Sequence, residues 1–110
     1  MAKVKKALPH VPAERTLKIV AGRWKVFILY FLRKRPHRLS ELRKLSPEAS
    51  PKMLVQQLRE LEEHGVVRRE VFAEVPARVE YSLTRMGMTL GPLLDELCAW
   101  GKRHASGIAD

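Results

Sequence analysis

The sequence predicts a mainly α-helical single domain that carries one small β-hairpin. Three observations lead there. Apolar residues recur at amphipathic-helix spacing in four segments and run nearly unbroken through a fifth, they shift toward alternation only between Val66 and Leu83, and Pro, Gly, Ser and Thr stand at the borders of these segments. A chain of 110 residues has room for one modest core and no second domain beside it.

The first helix covers residues 13–20, with Pro12 placed to open it and Leu17 and Val20 on one side. After Gly22, residues 24–32 are apolar nearly all round, which predicts a central buried helix stopped at Arg33, Lys34, Arg35 and Pro36. Those three cations also suit the negative end of that helix. Residues 40–45 form a short helix with Leu39, Leu42 and Leu45 turned inward, and residues 46–49 form a turn. Ser50 is an N-cap and Pro51 the first residue of a helix that runs through Glu63 and stops at His64 and Gly65. Residues 66–72 and 78–83 pair as a hairpin around the tip 74–77. Thr84 caps a last long helix with Met86, Leu90, Leu93, Leu94, Leu97 and Trp100 on one face. Pro92 has no N–H for the Met88 carbonyl and bends this helix near Gly91. Two short helices joined by a tight turn and followed by a hairpin make a winged helix-turn-helix. The stripe of the last helix is wider than a small domain usually covers on one helix, so a partner chain is expected to bury the rest, with Leu17 and Val20 of the first helix closing the interface.

On a helical wheel of residues 50–63, Leu54, Leu58 and Leu61 share the inward stripe, and Lys52, Gln56, Arg59 and Glu63 share the outward face. A helix of this kind enters a major groove, where Gln pairs with adenine and Arg or Lys with guanine or phosphate. The candidate DNA-contacting set is Ser50, Lys52, Met53, Gln56, Gln57 and Arg59 from this helix and its cap, with Arg69 and Arg78 from the hairpin. Arg78, next to the tip, is placed for the adjacent minor groove. Of Arg68 and Arg69 only one faces the DNA, because strand side chains alternate. Glu70 and Glu80 are placed to pair with the arginines across the strands.

Charge is distributed unevenly. Eleven cations and one anion precede Leu39, against ten cations and eleven anions from Leu39 onward, so the entire net charge of +9 lies in the first part. Such a balance points to a polyanionic partner. Lys3, Lys5 and Lys6 form a basic mobile arm over residues 1–12, ahead of the folded domain at 13–104 and a short tail at 105–110. The single Cys98 excludes an intramolecular disulfide framework and a cysteine-based zinc finger, which fits a reducing, cytoplasmic setting. It lies beside the apolar stripe of the last helix, where a buried thiol is expected. Residues 26–32, the longest apolar run, fall far short of the roughly 20 residues of a membrane helix, so no membrane role is expected. His10, His37, His64 and His104 lack metal-ligand spacing, no serine sits in a nucleophile elbow and the glycines form no phosphate loop. Neither catalysis nor a cofactor is expected.

Several stretches together resemble the HxlR-type winged helix regulators, from about Val11 to Gly101. They are Gly22-Arg23-Trp24-Lys25, Leu39-Ser40-Glu41-Leu42-Arg43, Leu58-Arg59-Glu60-Leu61-Glu62 with Gly65, Val75-Pro76-Ala77-Arg78-Val79-Glu80-Tyr81-Ser82-Leu83-Thr84, and Leu97-Cys98-Ala99-Trp100-Gly101. The resemblance implies a dimeric DNA-binding transcriptional regulator whose interface is built from the first and last helices. Leu17, Val20, Leu90, Leu93, Leu94, Leu97 and Trp100 are the candidate interface residues. The expected partners are double-stranded DNA and a second copy of the chain, with any small-molecule effector left open. Two positions depart from the family pattern. Val11 stands where oxidant-sensing members carry a cysteine, and Val55 where the family often has a hydroxyl. The competing reading is a winged helix used for protein or RNA contact, which Glu60, Glu62 and Glu63 on the recognition helix would suit.

Overall fold

The computed structural model describes residues 11–108, in the order α1 (Pro12–Val20), α2 (Lys25–Leu32), α3 (Leu39–Leu45), α4 (Pro51–Glu63), β1 (Val67–Phe72), β2 (Arg78–Leu83), α5 (Arg85–Met88) and α6 (Gly91–His104). Lys3, Lys5 and Lys6 of the proposed arm lie outside the described residues. Proline stands in the first turn of α1, α4 and α6, where its missing N–H removes no helical bond. Ser50 caps α4 by accepting the Met53 N–H at 3.0 Å. Glu41 closes the start of α3 by accepting the Arg38 N–H at 2.8 Å.

Ile28 and Leu29 of α2, Leu42 of α3, Leu54, Leu58 and Leu61 of α4, and Val66 are all at most 1% exposed and form the centre of the core. The burial of each such side chain contributes roughly 1.5–3 kcal/mol. α2 is buried on one side rather than all round. Tyr30 stays 42% exposed with the Lys34 ammonium over its ring, while Phe27 and Phe31 pack edge to face at 4.9 Å. Leu45, expected to face inward, is 42% exposed. α3 ends there, and Ser46 takes the buried place instead, its hydroxyl donating to the Leu42 carbonyl at 2.7 Å.

β1 and β2 pair antiparallel with Val67 opposite Leu83 and Phe72 opposite Arg78. The loop before α3 joins this hairpin through a two-bond bridge: His37 donates to the Tyr81 carbonyl at 2.9 Å and Tyr81 donates to the His37 carbonyl at 2.8 Å. The buried His37 thus ties the helical half to the wing.

The last long helix of the sequence reading is two helices. Thr84 caps as expected, accepting the Gly87 N–H at 3.0 Å, but α5 stops at Met88 and α6 starts at Gly91. Pro92 has no N–H to offer the Met88 carbonyl, so nothing carries α5 on into α6, and the chain breaks there rather than bending. α6 then divides its apolar residues. Leu94 is buried and Leu90 packs on the core, whereas Leu93, Leu97 and Trp100 face solvent. Arg33 at the end of α2 holds α6 in place through two hydrogen bonds to Asp95, at 2.6 and 3.0 Å, and lies against Gly91. Cys98 is exposed, not buried. It continues the Leu94 stripe by one turn, but the helix has run past the core by then.

The tightest approach lies at the base of the wing. Thr84 donates through Oγ1 to the Gly65 carbonyl at 2.6 Å, and α5 crosses so close to β1 that a Cβ on Gly87 would sit 2.1 Å from the Val66 carbonyl oxygen. Gly87→Ala therefore forces backbone apart and is expected to destabilise the fold by about 3 kcal/mol or more. A lowered urea midpoint at unchanged m-value is the expected reading, and a wild-type midpoint would refute the packing.

Candidate nucleic-acid interface

α4 turns Lys52, Met53, Gln56, Arg59 and Glu63 to solvent and buries Leu54, Leu58 and Leu61. Ser50 stands exposed at its N-terminal end, its oxygen engaged by the Met53 N–H while its hydroxyl proton remains available for donation. One sequence candidate is misplaced. Gln57 is only 9% exposed and points inward, with its Oε1 buried next to Gly22 and without a hydrogen-bond partner. A Cβ on Gly22 would lie 2.7 Å from that oxygen, so the glycine is what lets Gln57 and Lys25 fit. At about 100° per residue Gln57 falls beside Leu61 at the edge of the inward stripe, a position that a list of polar residues along the helix hides.

Beneath the outward face lies a polar relay that sequence reasoning did not find. Lys25, the first residue of α2, is 5% exposed and reaches Glu60 Oε1 with its ammonium at 2.6 Å. Glu60 Oε2 in turn accepts from Gln56 Nε2 at 3.0 Å. The Gln56 amide and then the Lys25 ammonium hold the Glu60 carboxyl below the ordinary carboxylate range.

Arg69 lines an exposed trough with Val55, Arg59, Glu62 and Tyr81, so this arginine, and not Arg68, shares a side with the outer flank of α4. Arg78 is engaged within the wing. Its guanidinium pairs with Glu74 at 2.8 Å and Glu80 at 2.5 Å, and stacks over the Phe72 ring at 3.8 Å. Glu80 therefore partners Arg78 on its own strand, while Glu70 faces Glu80 across the hairpin.

A second cationic feature went unnoticed in the sequence. Ser40, Arg43 and Lys44 of α3 line a cleft with Ser50 at the start of α4. The Glu48 carboxylate lines the same cleft, so its two cations and two hydroxyls stand opposite an anion of the chain's own. The signal was present as basic residues in the last turn of the helix before a capped helix.

The seven candidate interface residues divide into two groups. Leu17, Leu93, Leu97 and Trp100 are exposed by 55%, 37%, 45% and 58%, whereas Val20 and Leu94 are each 3% exposed within their own core and Leu90 packs against it. Among the described residues no His, Cys, Asp and Glu group is placed to hold a metal ion, and no helix is long and apolar enough to cross a membrane.

Helix, turn, capped helix with an outward cationic and amide face, and a hairpin wing together define a winged helix-turn-helix DNA-binding transcriptional regulator. The HxlR-like helix-turn-helix model matches residues 19–108, and the chain belongs to that family. The HTH-type transcriptional regulator YkvN of Bacillus subtilis is 48% identical over 92 residues, covering 84% of this chain and 78% of YkvN. YtcD of the same organism is 46% identical over 99 residues, covering 90% of this chain and 79% of YtcD. Among solved structures, the redox regulator HypR in its reduced form superposes with a TM-score of 0.84 at 40% identity, over 89% of this chain and 97% of HypR. The family and these relatives are transcriptional regulators, not enzymes.

Lowered carboxyl pKa values at Glu41, Glu60, Glu74 and Asp95 have a common consequence for stability. Each is depressed on folding from an ordinary value of 4.5 for Glu or 3.8 for Asp, so the unfolded chain binds more protons in acid. The stabilisation is complete above those ordinary values and is lost as pH falls through the lower, folded ones. Urea unfolding followed from neutral to acid pH is expected to show this loss, with a shallower decline in Glu60→Gln. Equal declines would show that Glu60 makes no such pair in solution.

Proposed function

We propose that the chain acts in the cytoplasm as a homodimer on a pseudo-palindromic operator, with α4 in the major groove and the wing beside the minor groove. In this reading Ser50, Lys52, Met53, Gln56 and Arg59 approach the groove and the backbone beside it. Arg69 supports them from β1, and Arg78 reaches DNA only by exchanging its carboxylate partners. Gln57 acts from inside as packing.

The observation that carries the dimer is the outward stripe of α6. Leu93, Leu97 and Trp100 recur at intervals of four and three residues and remain exposed beyond a core that is already complete, and Leu17 adds a further exposed leucine on α1. A second copy covers such a stripe by symmetry, and regulators of this fold are typically dimers. Two recognition helices then address half-sites about 10 base pairs apart or a multiple of that spacing.

Leu97→Asp places a charge in the proposed interface, and sedimentation is expected to show monomers with much weaker operator binding. Wild-type protein sedimenting as a monomer at micromolar concentration without DNA would overturn the dimer. Arg59→Ala is expected to weaken specific binding by roughly 1–3 kcal/mol and to relax preference at particular base pairs, with helix content unchanged by circular dichroism. Undiminished selectivity in that variant would remove this face of α4 from the reading role.

A further inference from the structure

Gln56 sits on the outward face of α4, but its amide is not free to turn. A carboxylate can only accept hydrogen bonds, so contact with Glu60 Oε2 at 3.0 Å requires the nitrogen end of the Gln56 amide to face Glu60. Glu60 itself is tethered from below. Its other oxygen lies 2.6 Å from the ammonium of Lys25, whose side chain is 6% exposed, against 34% for Glu60. Lys25 is held in turn by the space that Gly22 leaves, since a Cβ there would come within 3.1 Å of Lys25 Cδ. The chain of contacts thus runs from a buried cation in α2 to an amide on the exposed face of α4.

We propose that Lys25 and Glu60 are positioning residues that make Gln56 an adenine reader. With one amide hydrogen given to Glu60, Gln56 has one N–H and one carbonyl oxygen left to present. Adenine offers the complementary pair in the major groove, an N7 acceptor and an N6 amino donor. Guanine offers two acceptors, N7 and O6, and needs two donors on the side chain. The held amide therefore matches adenine and mismatches guanine, whereas a released amide turns to suit either. This inference rests on the reading of α4 as the groove-facing helix and adds to it a source of base preference outside the DNA-facing surface.

The test is selection from a randomised duplex library with the full chain in four forms: wild type, Gln56→Ala, Glu60→Gln and Lys25→Met. Gln56→Ala identifies the base pair that Gln56 reads, by loss of preference there. Glu60→Gln preserves shape but can face Gln56 with either end of an amide, and Lys25→Met removes the tether. Both are expected to lower adenine preference at that same base pair by about fivefold or more, the lower end of what one bidentate base contact contributes. Preference elsewhere in the selected sequence stays as in wild type. If Lys25→Met does not fold, Glu60→Gln decides alone. Wild-type preference at that pair in Glu60→Gln overturns the relay while leaving the groove-facing helix intact. A uniform change in affinity across all sequences also overturns it, because that reports only the charge removed. If Gln56→Ala alters no position, the relay falls while the reading of α4 stands on Arg59; if wild type selects no sequence, both fall.

Discussion

Leu54, Leu58 and Leu61 are at most 1% exposed, packed with Ile28, Leu29 and Leu42, and their burial decides where the rest of α4 points. Neighbours on a helix stand 100° apart, so fixing those three inward leaves Lys52, Gln56, Arg59 and Glu63 outward. The same packing brings the start of α2 beneath the flank of α4, close enough for Lys25 to reach Glu60. Loss of any one of these leucines opens a cavity costing about 2–5 kcal/mol, a large share of what a domain of this size has. A well-packed core is thus also what aims the outward side chains, and stability and recognition share one set of contacts.

Periodicity and punctuation made most of the fold readable. The Ser50-Pro51 start of α4, its stop before Gly65 and the two strands around residues 74–77 stand where turn chemistry puts them. Leu45 keeps the threefold spacing but stands on the last residue of α3, where the core no longer covers it. Pro92 by itself predicts only a bend between α5 and α6, because it carries no sign of the close crossing of Gly87 over Val66. That crossing is a tertiary fact, as is the bridge from His37 to Tyr81, and no local pattern announces either.

The site was legible where it depends on one helix and hidden where it depends on two. The outward face of α4 followed from its own period, and the choice between Arg68 and Arg69 needed only the approach of β1 to α4. Gln57 reads as one more polar residue on a polar helix, and only the turn at Gly22 packed against its amide shows it to be buried. Val20 and Leu94 looked like surplus apolar surface until the core claimed them, leaving Leu17, Leu93, Leu97 and Trp100 outside. Cys98 failed in the opposite sense, because the stripe it continues outlasts the core beneath it.

The wing carries its own opposing charges. With Glu74 and Glu80 on its guanidinium and Phe72 beneath it, Arg78 presents little net attraction to an anion passing at a distance. A phosphate that claims it must first displace two carboxylates, at close range and in a geometry that compensates for both. In the proposed complex the hairpin would therefore act as a threshold rather than as a lure. Under the proposed docking, a duplex would gain this grip only once seated on α4, so the wing would prolong binding at a fitting site more than it would slow passage over others.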